Sequence, residues 1–150
     1  MELKKRIDQD LKAAMLAKEP AVVTVLRGLK AVILDAEVAE GKREKGLLDA
    51  EIEKLIAKEV KRRREAIEMY KSGGRVDLVE SEEFEQKILE GYLPQQIGED
   101  EIRAKIDEVL MGLSEGEAAN MGMVIGKVKA LVGNSADGAT IARLVKERLG

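Results

Sequence analysis

Pro20-Ala21-Val22-Val23-Thr24-Val25-Leu26-Arg27-Gly28-Leu29-Lys30-Ala31-Val32-Ile33 is the stretch on which the fold class turns. The run Val22-Val23-Thr24-Val25 would suit a strand by propensity. Its spacing argues for a helix. Val22, Val25, Leu26, Leu29, Val32 and Ile33 form a broad stripe at helical intervals, and charge returns on the opposite face at Arg27, Lys30, Asp35 and Glu37. Pro20 suits a first helical turn, where its missing N–H is not needed. The reading is a well-buried helix over about 20–40.

The same period extends in both directions. Upstream, Leu3, Ile7, Leu11 and Met15, with Ala14, share one helical face. Downstream, Gly41 and Gly46 bracket the charged loop Lys42-Arg43-Glu44-Lys45. A third helix is expected from about Leu48 to Ser72, with Ile52, Leu55, Ile56, Val60, Ile67 and Tyr70 as its apolar positions. Ser72-Gly73-Gly74 stops it, because glycine accepts the conformation past a helix end. A fourth covers about 76–91, with Val79, Phe84, Ile88 and Leu89 on its apolar side. Leu93 precedes Pro94 and is pushed away from the α region, so a boundary falls there.

Beyond that boundary three short helices are expected. Glu99-Asp100-Glu101 opens the first, where acids favour the positive end of the helix dipole. Its stripe is Ile102, Ile106, Val109 and Leu110, with Gly112 and Gly116 flanking its end. Asn120 caps a helix over about 121–132 carrying Val124, Ile125, Val128 and Leu131. Asp137 caps the last, lined by Ile141, Leu144, Val145 and Leu149. The expected fold is all-α: a helical N-terminal domain over 1–93, built as a hairpin or bundle of about four helices, then a three-helix domain over 94–150.

Composition limits the chemistry. The 150 residues hold 26 Lys+Arg and 29 Asp+Glu, a net charge of −3, and no His, Cys or Trp. No imidazole base, thiolate nucleophile or Cys-type metal site is available. A metal would need carboxylates alone, and the acidic runs read as solvated faces and first turns, so neither a metal nor a cofactor is expected. No apolar run approaches the roughly 20 residues of a membrane helix. The chain reads as a cytoplasmic protein without a membrane association.

Two basic regions compete as anion-binding candidates. Lys61-Arg62-Arg63-Arg64 is the denser, but four consecutive helical residues make a collar, and Glu59, Glu65 and Glu68 interrupt it. The C-terminal set of Lys127, Lys129, Arg143, Lys146 and Arg148 lies in a barer background, with Asp137 and Glu147 as the only acids after 120. It is the better nucleic-acid candidate. Gly122 and Gly126 lie four apart on the helix that carries Lys127 and Lys129. Interior glycine costs up to about 1 kcal/mol against alanine, so two of them need a reason. One reason is close approach of another backbone, which is the preferred reading. The other is access of a ligand to a smooth helix face.

These residues carry a family likeness. Tyr92-Leu93-Pro94-Gln95-Gln96, Met121-Gly122 with Val124, Gly126-Lys127-Val128 and Ala136-Asp137-Gly138 resemble the signature of the YqeY family. Asp10-Leu11-Lys12-Ala13-Ala14-Met15 and Ser72-Gly73-Gly74-Arg75-Val76-Asp77-Leu78-Val79 resemble its opening helix and mid-chain turn. The likeness implies a helical N-terminal region followed by a domain similar to the tail of the B subunit of the glutamine-dependent aspartyl/glutamyl-tRNA amidotransferase. In that enzyme the tail contacts tRNA and the catalytic centres lie elsewhere. Gly98 stands where a Ser or Thr cap is expected, and Asn120 where Asp is common. No residue corresponds to an amidase Ser-Lys centre, so the likeness implies binding rather than catalysis, although the family often carries an amidotransferase-like label.

The leading expectation is a non-catalytic tRNA-binding accessory protein. Lys127, Lys129, Arg143, Lys146 and Arg148 would contact phosphates, and Gly122 and Gly126 would allow close approach. A helical adaptor docking on a larger tRNA-modifying or translation-related protein is the alternative. A component of a glutamine-dependent carbon–nitrogen ligase system is weaker, because the chain lacks a nucleotide loop, a thiolate and an imidazole.

Overall fold

The β-branched run of the second helix folds as a helix, and among the described residues every regular element is helical. The computed structural model describes residues 2–150. The chain divides between Leu93 and Pro94 into two compact units.

The N-terminal unit holds α1 (Glu2–Leu16), α2 (Pro20–Ala39), α3 (Asp49–Ser72) and α4 (Val76–Glu90). α1 packs mainly on α2, and α3 on α4, so two helical hairpins share one core. Ile7, Leu26, Ile33, Ile52, Ile56 and Leu89 are almost fully buried in it. Lys18 takes the turn between α1 and α2 with φ 55, and Gly74 takes the turn between α3 and α4 with φ 70.

Three face assignments, two apolar and one charged, are corrected by the packing. Ala14 closes the buried face of α1, while Met15 is 49% exposed. Phe84 is 44% exposed, since Leu89 is the residue of α4 that reaches the core. Glu37, which the sequence pattern puts with the charges opposite the apolar stripe of α2, is buried. It follows Ile33 by four residues and Leu26 by eleven, which returns it to the buried stripe.

The carboxylate of Glu37 is satisfied there. It accepts from the Lys4 ammonium at 3.0 and 2.9 Å and from the Leu47 N–H at 3.0 Å. These bonds hold its pKa below the usual carboxylate range, the Lys4 bond most strongly, against the opposing effect of burial. The loop before α3 folds back onto this point, with Gly41 at φ 67 and Gly46 at φ 79. Lys42 braces the loop through an ion pair with Glu51 at 2.8 Å.

The C-terminal unit holds α5 (Glu99–Met111), α6 (Glu115–Ala118), α7 (Met121–Val132), a 3₁₀ turn (Gly133–Ser135) and α8 (Gly138–Leu149). Its core is wholly apolar: Ile102, Ile106, Val124, Val128, Ile141, Leu144 and Val145. A one-turn helix, α6, adds to the three helices that the sequence pattern predicts, and Gly116 lies inside it rather than beside the end of α5. Ser114-Glu115-Gly116-Glu117 is a capping box, in which the Ser114 hydroxyl accepts from the Glu117 N–H and the Glu117 carboxylate accepts from the Ser114 N–H. Leu131 is 49% exposed, so Val124 and Val128 carry the buried face of α7.

Candidate nucleic-acid interface

The residues of the family-like motif separate into two jobs. Tyr92 and Leu93 belong to the N-terminal unit. The Tyr92 hydroxyl donates to the Asp10 carboxylate, the Arg6 guanidinium lies 4.7 Å from the centre of the Tyr92 ring, and Arg6 donates to the Gly91 carbonyl at 3.0 Å. Burial, then the bond to Asp10, pushes the phenol pKa well up. Tyr92 therefore clasps α1 to the end of α4. Leu93 packs on the same core.

Pro94 opens the C-terminal unit. Its carbonyl accepts from the Gln96 side chain at 2.9 Å, and that same amide donates to the Asn134 carbonyl at 3.0 Å. The Ile97 N–H donates to the Ser135 carbonyl at 2.9 Å. This entry segment is thus tied to the turn between α7 and α8. At that turn Gly133 has φ 57, a conformation that disfavours an L side chain.

α7 starts on Asn120, whose side chain accepts from the Met123 N–H at 3.1 Å. α8 starts on Asp137, whose carboxylate accepts from the Thr140 N–H and hydroxyl, each at 3.3 Å. These caps satisfy helix donors that would otherwise lack partners. Gly138 follows Asp137, and a Cβ there would sit 3.3 Å from both Cε and Nζ of Lys129. The Lys129 side chain therefore lies across the start of α8.

The two helix glycines have no packing reason. A Cβ on Gly126 would meet nothing within 4 Å, and one on Gly122 would meet only the Asn120 side chain at 3.5 Å. The preferred reading, close approach of another backbone, is not what this structure shows. The outer face of α7 is smooth and open along Gly122 and Gly126, with Lys127 and Lys129 toward opposite edges.

The five basic candidates divide by type. Arg143 is held by Glu99 of α5 at 2.7 Å and by Glu147 at 3.1 Å. Arg148 is held by Asp107 of α5 at 3.0 Å. Lys127, Lys129 and Lys146 are exposed and make no ion pair among the described residues. Lys127 has one acidic neighbour in the field of Glu117. The pKa of Glu117 is lowered by its Ser114 bonds first and by Lys127 last. The fold thus brings Gly122, Gly126, Lys127, Lys129, Gly138 and Lys146 to α7 and α8, and turns both arginines to α5.

Sequence reasoning overlooked the neutralising acids of α5. Their signal lies in Glu99 and Asp107, carboxylates on the amphipathic helix that must pack beside α8. Among the described residues no cluster of three or more carboxylates is arranged to hold a metal ion, and no helix is long and apolar enough to cross a membrane.

Comparison with known proteins extends this picture. A protein of Pyrenophora tritici-repentis, Altered inheritance of mitochondria protein 41, mitochondrial, is 31% identical over 149 residues, spanning 97% of this chain and 80% of that protein. The protein of the same name from Kluyveromyces lactis is 34% identical over 126 residues, 81% of this chain and 66% of its own length. That of Lachancea thermotolerans is 37% identical over 112 residues, 73% and 58% respectively. The chain therefore spans less than two thirds of the last two. These names correct the cytoplasmic expectation, since the relatives are named as mitochondrial. A Cys-free composition does not separate one thiol-reducing compartment from another. The family model described as Yqey-like protein matches residues 4–149, a span that runs through both units, and the chain belongs to that family.

Proposed function

We propose that the chain is a non-catalytic accessory protein that binds tRNA through α7 and α8. The observation that supports this most is the open glycine face of α7 with unpaired lysines toward its edges. A phosphate backbone needs close approach and mobile positive charge, and that face offers both. Lys127, Lys129 and Lys146 are the contacts. Arg143 and Arg148 act secondarily, because each must first leave a carboxylate.

Filter binding of bulk tRNA over a salt series tests the proposal. Replacing Lys127, Lys129 and Lys146 by Gln should flatten the log–log slope by roughly 2–3. Absence of binding at low salt, or an unchanged slope, would overturn it.

A second reading is favoured by a different observation. Met121 and Met123 are each 37% exposed, and they flank the glycine row on either side of α7. A helix of a larger translation-related or tRNA-modifying protein would pack closely on such a face. Nuclease-resistant recovery of one defined protein partner, lost on Gly126→Leu, would favour this adaptor role over RNA binding.

A further inference from the structure

The basic run of α3 is sorted by the fold into two groups. Arg63 turns toward Glu59 at 3.1 Å and Glu85 at 3.5 Å, and Arg64 toward Glu90 at 3.3 Å. Lys61 and Arg62 stay on the outer side of α3. Lys54 and Lys58 precede them by whole turns, so Lys54, Lys58, Lys61 and Arg62 share one exposed face. The three lysines make no ion pair among the described residues, although Lys54 lies in the field of Glu51 one turn before it, and Arg62 has only a 3.4 Å contact with the largely buried Glu59. What reads as a collar over four consecutive residues is a stripe once the arginines that face α4 are removed.

We infer that this stripe is a second nucleic-acid surface, which tracks the phosphates of one RNA strand. From Lys54 to Arg62 the helix advances about 12 Å at its standard rise. Successive phosphates of one strand lie closer together than that length, so the four cations face more than one of them. The choice of RNA as the polyanion rests on the function proposed above, whereas the surface rests on the ion pairing of α3. A lipid surface fits it poorly. Ile52, Ile56, Val60 and Ile67 are the residues an amphipathic helix would insert, and all four are buried in the core. Glu65 continues the row one turn beyond Lys61 and is exposed, so it marks where the stripe ends.

Salt-dependent binding of bulk tRNA by the full chain tests this surface apart from the C-terminal one. The variant with Lys54, Lys58, Lys61 and Arg62 changed to Gln should flatten the slope by roughly 3, and Glu65→Lys should steepen it by roughly 0.7–0.9. Thermal unfolding of each variant should match the parent, since every altered side chain is exposed. An unchanged slope in the α3 variant overturns the inference even if the Lys127, Lys129 and Lys146 variant loses binding. The converse result leaves the α3 surface standing and overturns the C-terminal proposal. Phosphatidylserine vesicles and polyglutamate are the competing probes. If the α3 variant loses either of these while keeping its tRNA slope, the stripe serves a membrane or an acidic protein, and the inference is overturned.

Discussion

The N-terminal unit buries charge where the C-terminal unit keeps its core apolar. In the former, Glu37 is enclosed by Lys4 and Leu47, and Tyr92 reaches Asp10 from the end of α4. In the latter, the seven core residues are all aliphatic, and the acids and bases pair on the outside. An apolar core is non-directional and can bind its helices at several offsets. A buried carboxylate with defined donors accepts only one arrangement, because any other leaves it unsatisfied. The four longer helices carry this added constraint. Three of the C-terminal helices, α6, α7 and α8, instead have their starts set by the side-chain caps of Ser114, Asn120 and Asp137.

Breaking the buried carboxylate should have the largest effect. Glu37→Gln leaves Lys4 without its counter-charge and weakens the acceptor for the Leu47 N–H. Lys4 is 39% exposed and can recover water, so the loss should fall below that of a fully enclosed pair, at about 2–3 kcal/mol. Denaturant unfolding measures it. Amide exchange should show the loss in α1, α2 and the loop before α3, while α5, α7 and α8 keep their protection. Equal loss in both units would mean that the two do not unfold independently.

Acid should sharpen the same contrast. The folded pKa of Glu37 is depressed, so its contribution is present above the ordinary glutamate range and is lost as pH falls through the lower folded value. Protection of the N-terminal unit should therefore decline below about pH 4.5, and Glu37→Gln should remove much of that decline. The phenol of Tyr92 has the opposite sign. Its folded pKa is raised, so its contribution is complete below about pH 10 and fades as pH rises further.

Tyr92→Phe comes next in size. It keeps the ring under Arg6 and removes the bond to Asp10, at a cost of about 1–2 kcal/mol. The alkaline loss of stability should diminish with it. An unchanged melting temperature would show that the ring packing alone holds α1 to the end of α4.

These predictions rest on residues that differ in how legible they were. The helices could be read because apolar spacing, Pro20, Gly73-Gly74, Asn120 and Asp137 each act through neighbouring residues. Glu37 could not be read as buried from its type, although its position after Ile33 placed it on the core stripe. Its partners come from α1 and from the residue just before α3, and only the tertiary fold brings them together. The motif around Tyr92 was recognisable as a pattern, yet nothing local showed that its hydroxyl would meet Asp10. The candidate site was half legible. Lysine and glycine positions on α7 followed from the period, but the pairing of Arg143 and Arg148 depended on how α5 packs.

The smallest effects separate a glycine kept for backbone reasons from one kept for access. Gly28 in α2 and Gly126 in α7 are both interior to helices, neither has a positive φ, and a Cβ on either would meet nothing within 4 Å. Alanine at each position should therefore stabilise its own unit by about 0.5–1 kcal/mol, since the helix gains propensity without a clash. Binding should distinguish the two. Gly28 borders a cavity that Arg62 and Arg63 also line, but a methyl there removes no charge from the α3 stripe, so tRNA affinity should stay unchanged. Gly126→Ala places a methyl between Lys127 and Lys129, where a close-fitting backbone would lie, and should weaken binding while raising the melting temperature. Opposite movements of stability and affinity at Gly126, and not at Gly28, would mark the smooth face of α7 as one kept open for a ligand. Parallel gains in stability with equal affinity would reduce both glycines to neutral choices and leave the lysines alone to carry the interface.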